Sequence, residues 1–126
     1  MTVALRPVTD ALQARLDAAI GVPVFTGDRP KDVAPALVVR QVDGGAGYFR
    51  DLPDSHSGGM FAWQVTCVGG NWEQAAWLRD ETVEALTSQP PAGVIHATCV
   101  SQGDTRPDRD GNPDLWVSTP VFHMAL

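Results

Sequence analysis

At 126 residues, 44% hydrophobic and 19% charged, the chain fits one domain with a single core, and no apolar run approaches the length of a membrane span. A formal charge of −6 and a pI near 4.7 argue against a sequence-independent nucleic-acid binder, which needs a basic surface to neutralise phosphates. The start, "MTVALRPVTDALQARL", has no basic stretch leading into an apolar one, so no secretory leader is expected and the cytoplasm is the expected place of synthesis.

Residues 7–20, "PVTDALQARLDAAI", carry Val8, Leu12, Leu16 and Ile20 at helical spacing. Pro7 suits a first turn, Asp10 is expected to complement the helix dipole there, and Gly21 is a natural stop. "VPVF" (22–25) reads as a short strand followed by the turn-rich "TGDRPKD". "ALVVRQV" (36–42) reads as a stronger strand, with β-branched Val38, Val39 and Val42. The Gly-rich "DGGAGYFRDLPDSHSGG" (43–59) reads as a long mobile loop or a flexible hairpin extension, and loops of that length are functional or disordered.

"MFAWQVTCVG" (60–69) alternates Phe61, Trp63, Val65 and Cys67 with Ala62, Gln64 and Thr66, the pattern of a half-buried antiparallel strand. In "NWEQAAWLRDETVEALTS" (71–88), Asn71 and Gln74 form a capping box. Ala75, Leu78, Thr82, Val83 and Leu86 make its apolar face, and Glu73, Asp80, Glu81 and Glu84 an acidic one. Pro90-Pro91 ends this helix. "GVIHATCVSQ" (93–102) and "LWVSTPVFHMAL" (115–126) read as two strands joined by 104–114. The order predicts one α+β domain over 1–126, a two-layer sandwich of two helices on a mostly antiparallel sheet of four to five strands.

The stretch "DTRPDRDGNPDLWVS" (104–118) invites a calcium-loop reading, because Asp108 and Asp110 fall at positions 3 and 5 when Gly111 is placed at 6. Position 1 is then Arg106 and position 12 is Val117, so both anchoring ligands are missing. A hairpin turning at Asp110-Gly111 explains more, with a solvated charged tip. His96 and Cys99, three apart on a strand, point to opposite faces and suit no common zinc ion. "DSHSGG" (54–59) gathers Asp54, Ser55, His56 and Ser57, but a Gly-rich loop offers no rigid support for a catalytic triad. No nucleophile elbow, phosphate loop or H-E-x-x-H occurs. Neither a metal, a cofactor nor an enzymatic activity is expected.

Cys67 and Cys99 are expected to be buried, reduced thiols, with a Cys67–Cys99 bridge across neighbouring strands as the alternative. Trp63 and Trp116 are expected in the core. Trp77 falls just off the apolar face of its helix, as a half-buried rim residue or a subunit contact.

Taken together, "VPVFTGDRP", "ALVVRQV", "FAWQVTCVGGNWEQAAWLRDETVEAL" and "RPDRDGNPDLWVSTPVFHM" resemble the small tail terminator (tail completion) proteins of long-tailed bacteriophages, especially those of actinobacterial hosts. The resemblance covers most of the chain and is strongest in the 61–86 strand–helix unit and the terminal hairpin. It implies a non-enzymatic virion protein: a homohexameric ring at the head-proximal end of the tail. Such a ring stops tail tube polymerisation and receives the head–tail connector or neck protein. DNA passes through it without specific binding, in keeping with an acidic channel that repels phosphate. Tyr48, Phe49 and Arg50 in the long loop, Trp77, and Arg106, Asp108, Arg109 and Asp110 at the hairpin tip are the candidate subunit or partner contacts. Competing readings are another head–tail joining ring, a cytosolic ligand-binding domain, and a small hydrolase using His56 or His96.

Overall fold

A computed structural model of the chain describes residues 5–27, 33–42, 60–109 and 111–126. The predicted loop at 43–59, with Tyr48, Phe49 and Arg50, lies outside them, as does Asp110.

Helix α1 (Arg6–Ile20) forms on the expected stripe, with Val8, Leu12 and Leu16 buried. Pro7 occupies its first turn, and Gly21 closes it at φ +78°, its N–H donating to Asp17 O (3.1 Å). Because the helix starts at Arg6, Asp10 lies beyond the first turn, which holds no acidic side chain, so the expected dipole role of Asp10 is not met.

Seven strands follow among the described residues: β1 (Val24–Thr26), β2 (Ala36–Val42), β3 (Met60–Gly69), β4 (His96–Ser101), β5 (Thr105–Pro107), β6 (Trp116–Ser118) and β7 (Val121–Ala125). Only the β1–β2 pair is parallel. Strand β3 is central. Along one side it pairs with β2, from Ala36 opposite Val68 to Val42 opposite Ala62. Along the other it pairs first with β7 (Met60 to Gln64) and then with β6 (Cys67 to Gly69). β4 lies outside β7, and β5 outside β6.

The sheet is open and the fold is the expected α+β sandwich, but the strand count exceeds the four to five read from the sequence. The run at 115–126 is broken at Thr119-Pro120. Pro120 has no N–H for the ladder, while its carbonyl accepts from Val65 N–H (3.0 Å) and keeps the break against β3. The facing strand breaks at the same level, where Gly103 adopts φ +72° and a Cβ would stand 2.9 Å from Thr119 O. Both strands of the terminal hairpin therefore bend together.

Helix α2 (Trp72–Ser88) starts immediately after β3. Gln74 N–H donates to Asn71 Oδ1 (2.8 Å), and Gln74 Oε1 accepts from Gly70 N–H (2.7 Å), so the reciprocal bond reaches one residue further back than in a standard capping box. At the far end Arg15 of α1 donates to Ala85 O (3.2 Å) and Gln89 O (3.3 Å). It supplies the cation that the last turn of α2 lacks.

Both helices cover one face of the sheet. Leu12, Leu16, Leu78 and Leu86 pack over Leu37, Val39, Trp63, Val65, Cys67, Phe122 and Met124, all fully buried. Trp63 is the largest of these, and its indole N–H donates to Thr9 Oγ1 (3.0 Å). A small second cluster of Ala36, Val68 and Val117, with Phe25 and Leu115 against it, forms where side chains alternate to the other face.

Candidate interaction surface

The outward face of α2 is the most unusual surface of the described chain. At 100° per residue, the buried residues Ala75, Leu78, Thr82, Ala85 and Leu86 define the core-facing direction. Glu73, Trp77, Asp80 and Glu84 fall on the opposite side, and each of them is exposed. Trp77 is 50% exposed and sits one turn after Glu73 and one turn before Asp80 and Glu81. It is half-buried, as the rim reading expected, and it lies among the acidic residues of the helix.

This face is electrostatically unfavourable to the free helix. Asp80 and Glu84 stand i, i+4, and Glu81 and Glu84 stand i, i+3, like-charge pairs that cost about 0.2–0.5 kcal/mol each. The one arginine of α2, Arg79, pairs with Asp80 (3.1 Å) but also reaches Thr105 Oγ1 on β5 (3.4 Å), drawn toward the hairpin. Glu73, Glu81 and Glu84 have no ion-pair partner among the described residues. Trp72, 53% exposed, lies on the flank of α2 above Ala76 and not on the acidic stripe.

A second exposed apolar site lies at the sheet edge. Strand β4 pairs with β7 on one side only among the described residues; Ile95 (77% exposed) immediately precedes it, and Val100 (48%) sits where its register with β7 shifts between Cys99 and Ser101. Ile95 is tied to the sheet by its N–H, which donates to Ala125 O (2.8 Å). An edge strand with exposed apolar side chains is a template for pairing with another chain.

The β5–β6 hairpin exists, and Asp110 of the expected Asp110-Gly111 turn lies outside the described residues. The described turn runs through Asn112–Leu115: Leu115 N–H donates to Asn112 O (3.0 Å), and Asp114 N–H donates to Asn112 Oδ1 (3.0 Å). Arg106 and Arg109 are exposed, as the contact reading requires. Asp108 is not: at 4% exposure, with its backbone N–H on Leu115 O (2.8 Å), it is withdrawn from solvent and is no surface contact of the free chain. Trp116 also departs from expectation. It pairs with Gly69 and Pro107 near the end of the sheet and remains partly exposed, leaving Trp63 as the core tryptophan.

Beneath α2 the cross-strand row Thr105–Ser118–Cys67 forms a polar seam. Cys67 Sγ lies 3.7 Å from Thr82 Oγ1, and the Ser118 hydroxyl is buried with no hydrogen-bond partner among the described residues. Both thiols are free, and Cys99 is half-buried where full burial was expected. Desolvation pushes the Cys67 thiol up to about 12, and burial raises Cys99 as well. In native protein at pH 8 a thiol reagent is expected to modify Cys99 first and Cys67 only as the chain unfolds; equal rates would contradict this burial. Because the folded pKa of Cys67 exceeds the unfolded value of 9.0, its contribution to stability is fully present below pH 9 and lost as pH rises towards 12.

His96 and Thr98 share a hydrogen bond (2.9 Å) on one face of β4, while Cys99, opposite Phe122, turns to the helix side. Among the described residues no three of His, Cys, Asp and Glu gather as metal ligands. An open depression of about 320 Å³ beside α1 is lined by Asp10, Gln13, Ala14, Asp17 and Val24. The Gln13 amide there already donates to Val24 O (2.9 Å). Among the described residues no helix is long and apolar enough to cross a membrane. Neither a protein-family model nor a curated protein matches the chain.

Proposed function

We propose that the chain is a structural virion protein that assembles as a ring on the head-proximal end of a long phage tail, where it stops tube elongation and joins the tail to the head connector. The resemblance of the 61–86 unit and the terminal hairpin to tail terminators supports this reading, and the hexamer number comes with it. The observation that carries assembly is the β4 edge, with Ile95 exposed immediately before it and Val100 exposed at its register shift. In a lone chain such an edge invites uncontrolled pairing, and burying it against a neighbour removes the liability. Because the edge is one patch on an asymmetric chain, head-to-tail contact with a different patch of the next copy generates a ring when the rotation closes. The role assigned to the chain is non-catalytic, with tail tube and neck proteins as partners and DNA as a passing cargo.

A different head–tail joining ring is the nearest competitor, because both readings need the same self-association. Addition of the purified protein to polymerising tail tube subunits separates them. A terminator arrests elongation and leaves a ring at one tube end in negative-stain images. Tubes that lengthen unchanged in its presence contradict the terminator assignment.

A further inference from the structure

We propose that the outward face of α2 is a docking surface for a second, basic protein, which presents Lys or Arg side chains around an apolar notch that receives Trp77. Three observations converge on this face. Trp77 lies on the acidic side of the helix with half of its surface exposed, a large apolar side chain that belongs to neither core cluster. Glu73, Asp80 and Glu84 surround it on the same stripe, and Arg79, the only cation of the helix, pairs with Asp80 alone among the described residues while its Nη1 reaches the hairpin side. The stripe also keeps like charges at i, i+3 and i, i+4 spacing, a local conflict that an opposing cationic surface relieves.

An aromatic anchor inside a ring of complementary charge is the arrangement that concentrates binding energy and steers encounter. The charge selects the occupant. A second copy of this chain, at net charge −6, approaches this face against the overall field, whereas a basic partner is drawn to it and neutralises Glu73, Glu81 and Glu84. Trp72 lies on the flank of the helix and is not part of the docking stripe.

The full chain is tested with a labelled helical peptide carrying Lys on one face and Leu on the other, and with its Glu-for-Lys counterpart. Anisotropy is expected to report binding of the basic peptide alone, weakening about tenfold between 50 and 300 mM salt. Trp77→Ala is expected to weaken it about tenfold, and Glu73→Gln with Glu84→Gln several-fold, while Trp72→Ala retains the wild-type affinity. Sedimentation of the same variants should show unchanged self-association, which separates this surface from the ring contact. No binding of the basic peptide, equal binding of the acidic one, or equal losses in Trp72→Ala and Trp77→Ala would each overturn the proposal. Loss of self-association in Trp77→Ala would assign the face to a second copy and overturn it too.

Discussion

Replacing Gly69 with alanine is expected to lower the unfolding free energy by about 3 kcal/mol, at the upper end of the cost of overpacking a tight site. Gly69 is the last residue of β3, and α2 turns back directly above it. A Cβ at this position would stand 2.9 Å from Ala75 Cα and 3.0 Å from Gln74 C, with the Ala75 nitrogen closer still. These are backbone atoms of the first helical turns, so no rotamer change relieves the overlap. Relief requires α2 to lift from the sheet, which opens the core beneath Ala75 and Leu78. Gly70→Ala is the matched control, because its Cβ meets only the flexible Gln74 Oε1 at 3.4 Å. Urea unfolding of the two variants should differ by roughly 2 kcal/mol or more. Equal stabilities would mean that β3 and α2 are not held at this distance.

Trp63→Ala is expected to cost about 4 kcal/mol, the scale of removing a large aromatic from a core that cannot collapse around the void. Trp63 is the largest fully buried side chain, at the middle of the central strand, between Gln41 of β2 and Phe122 of β7. Phe61 meets its ring edge-on, with centroids 6.5 Å apart. Its polar edge can be separated from its bulk. Thr9 Oγ1 accepts the indole N–H and itself donates to Leu5 O (3.3 Å), so Thr9→Val keeps the shape and strands the buried N–H, at about 1–3 kcal/mol. Trp63→Phe removes donor and acceptor need together and should fall between wild type and Trp63→Ala. A Thr9→Val variant as stable as wild type would show that the indole finds water.

The elements that were legible from the sequence are those whose own periodicity decides them. The i, i+4 stripe of α1, the β-branched run of β2 and the alternation of β3 each follow from burial on one face, and the structure keeps their boundaries within a residue or two. The asparagine cap of α2 was equally plain, because its geometry is local. The last strand was read as continuous because Val, Phe and Met flank Pro120 on the β side. Pro120 has no N–H for the ladder, which marks the break in the sequence itself; that β3 holds the break in place through Val65 N–H is a non-local fact. Asp108 looked like a solvated tip residue for the same reason: its burial depends on where the hairpin meets the rest of the sheet.

The place of Trp77 off the apolar face was legible in the sequence, and so was its company of acidic residues. It stands four after Glu73, three before Asp80 and seven before Glu84, all one helical face. The β4 edge carried no such signal, since Ile95 and Val100 read as ordinary apolar strand residues until the pairing partner is known.

Sedimentation velocity over a wide concentration range tests self-assembly, the claim on which the functional reading depends. Wild-type protein is expected to populate, as concentration rises, a closed species several times the 13.5 kDa chain, without a continuing ladder of larger forms. Ile95→Glu with Val100→Glu, both at exposed positions on the β4 edge, should abolish that species while leaving the circular dichroism unchanged. A protein that remains a monomer to millimolar concentration, or an oligomer indifferent to both substitutions, would contradict the account.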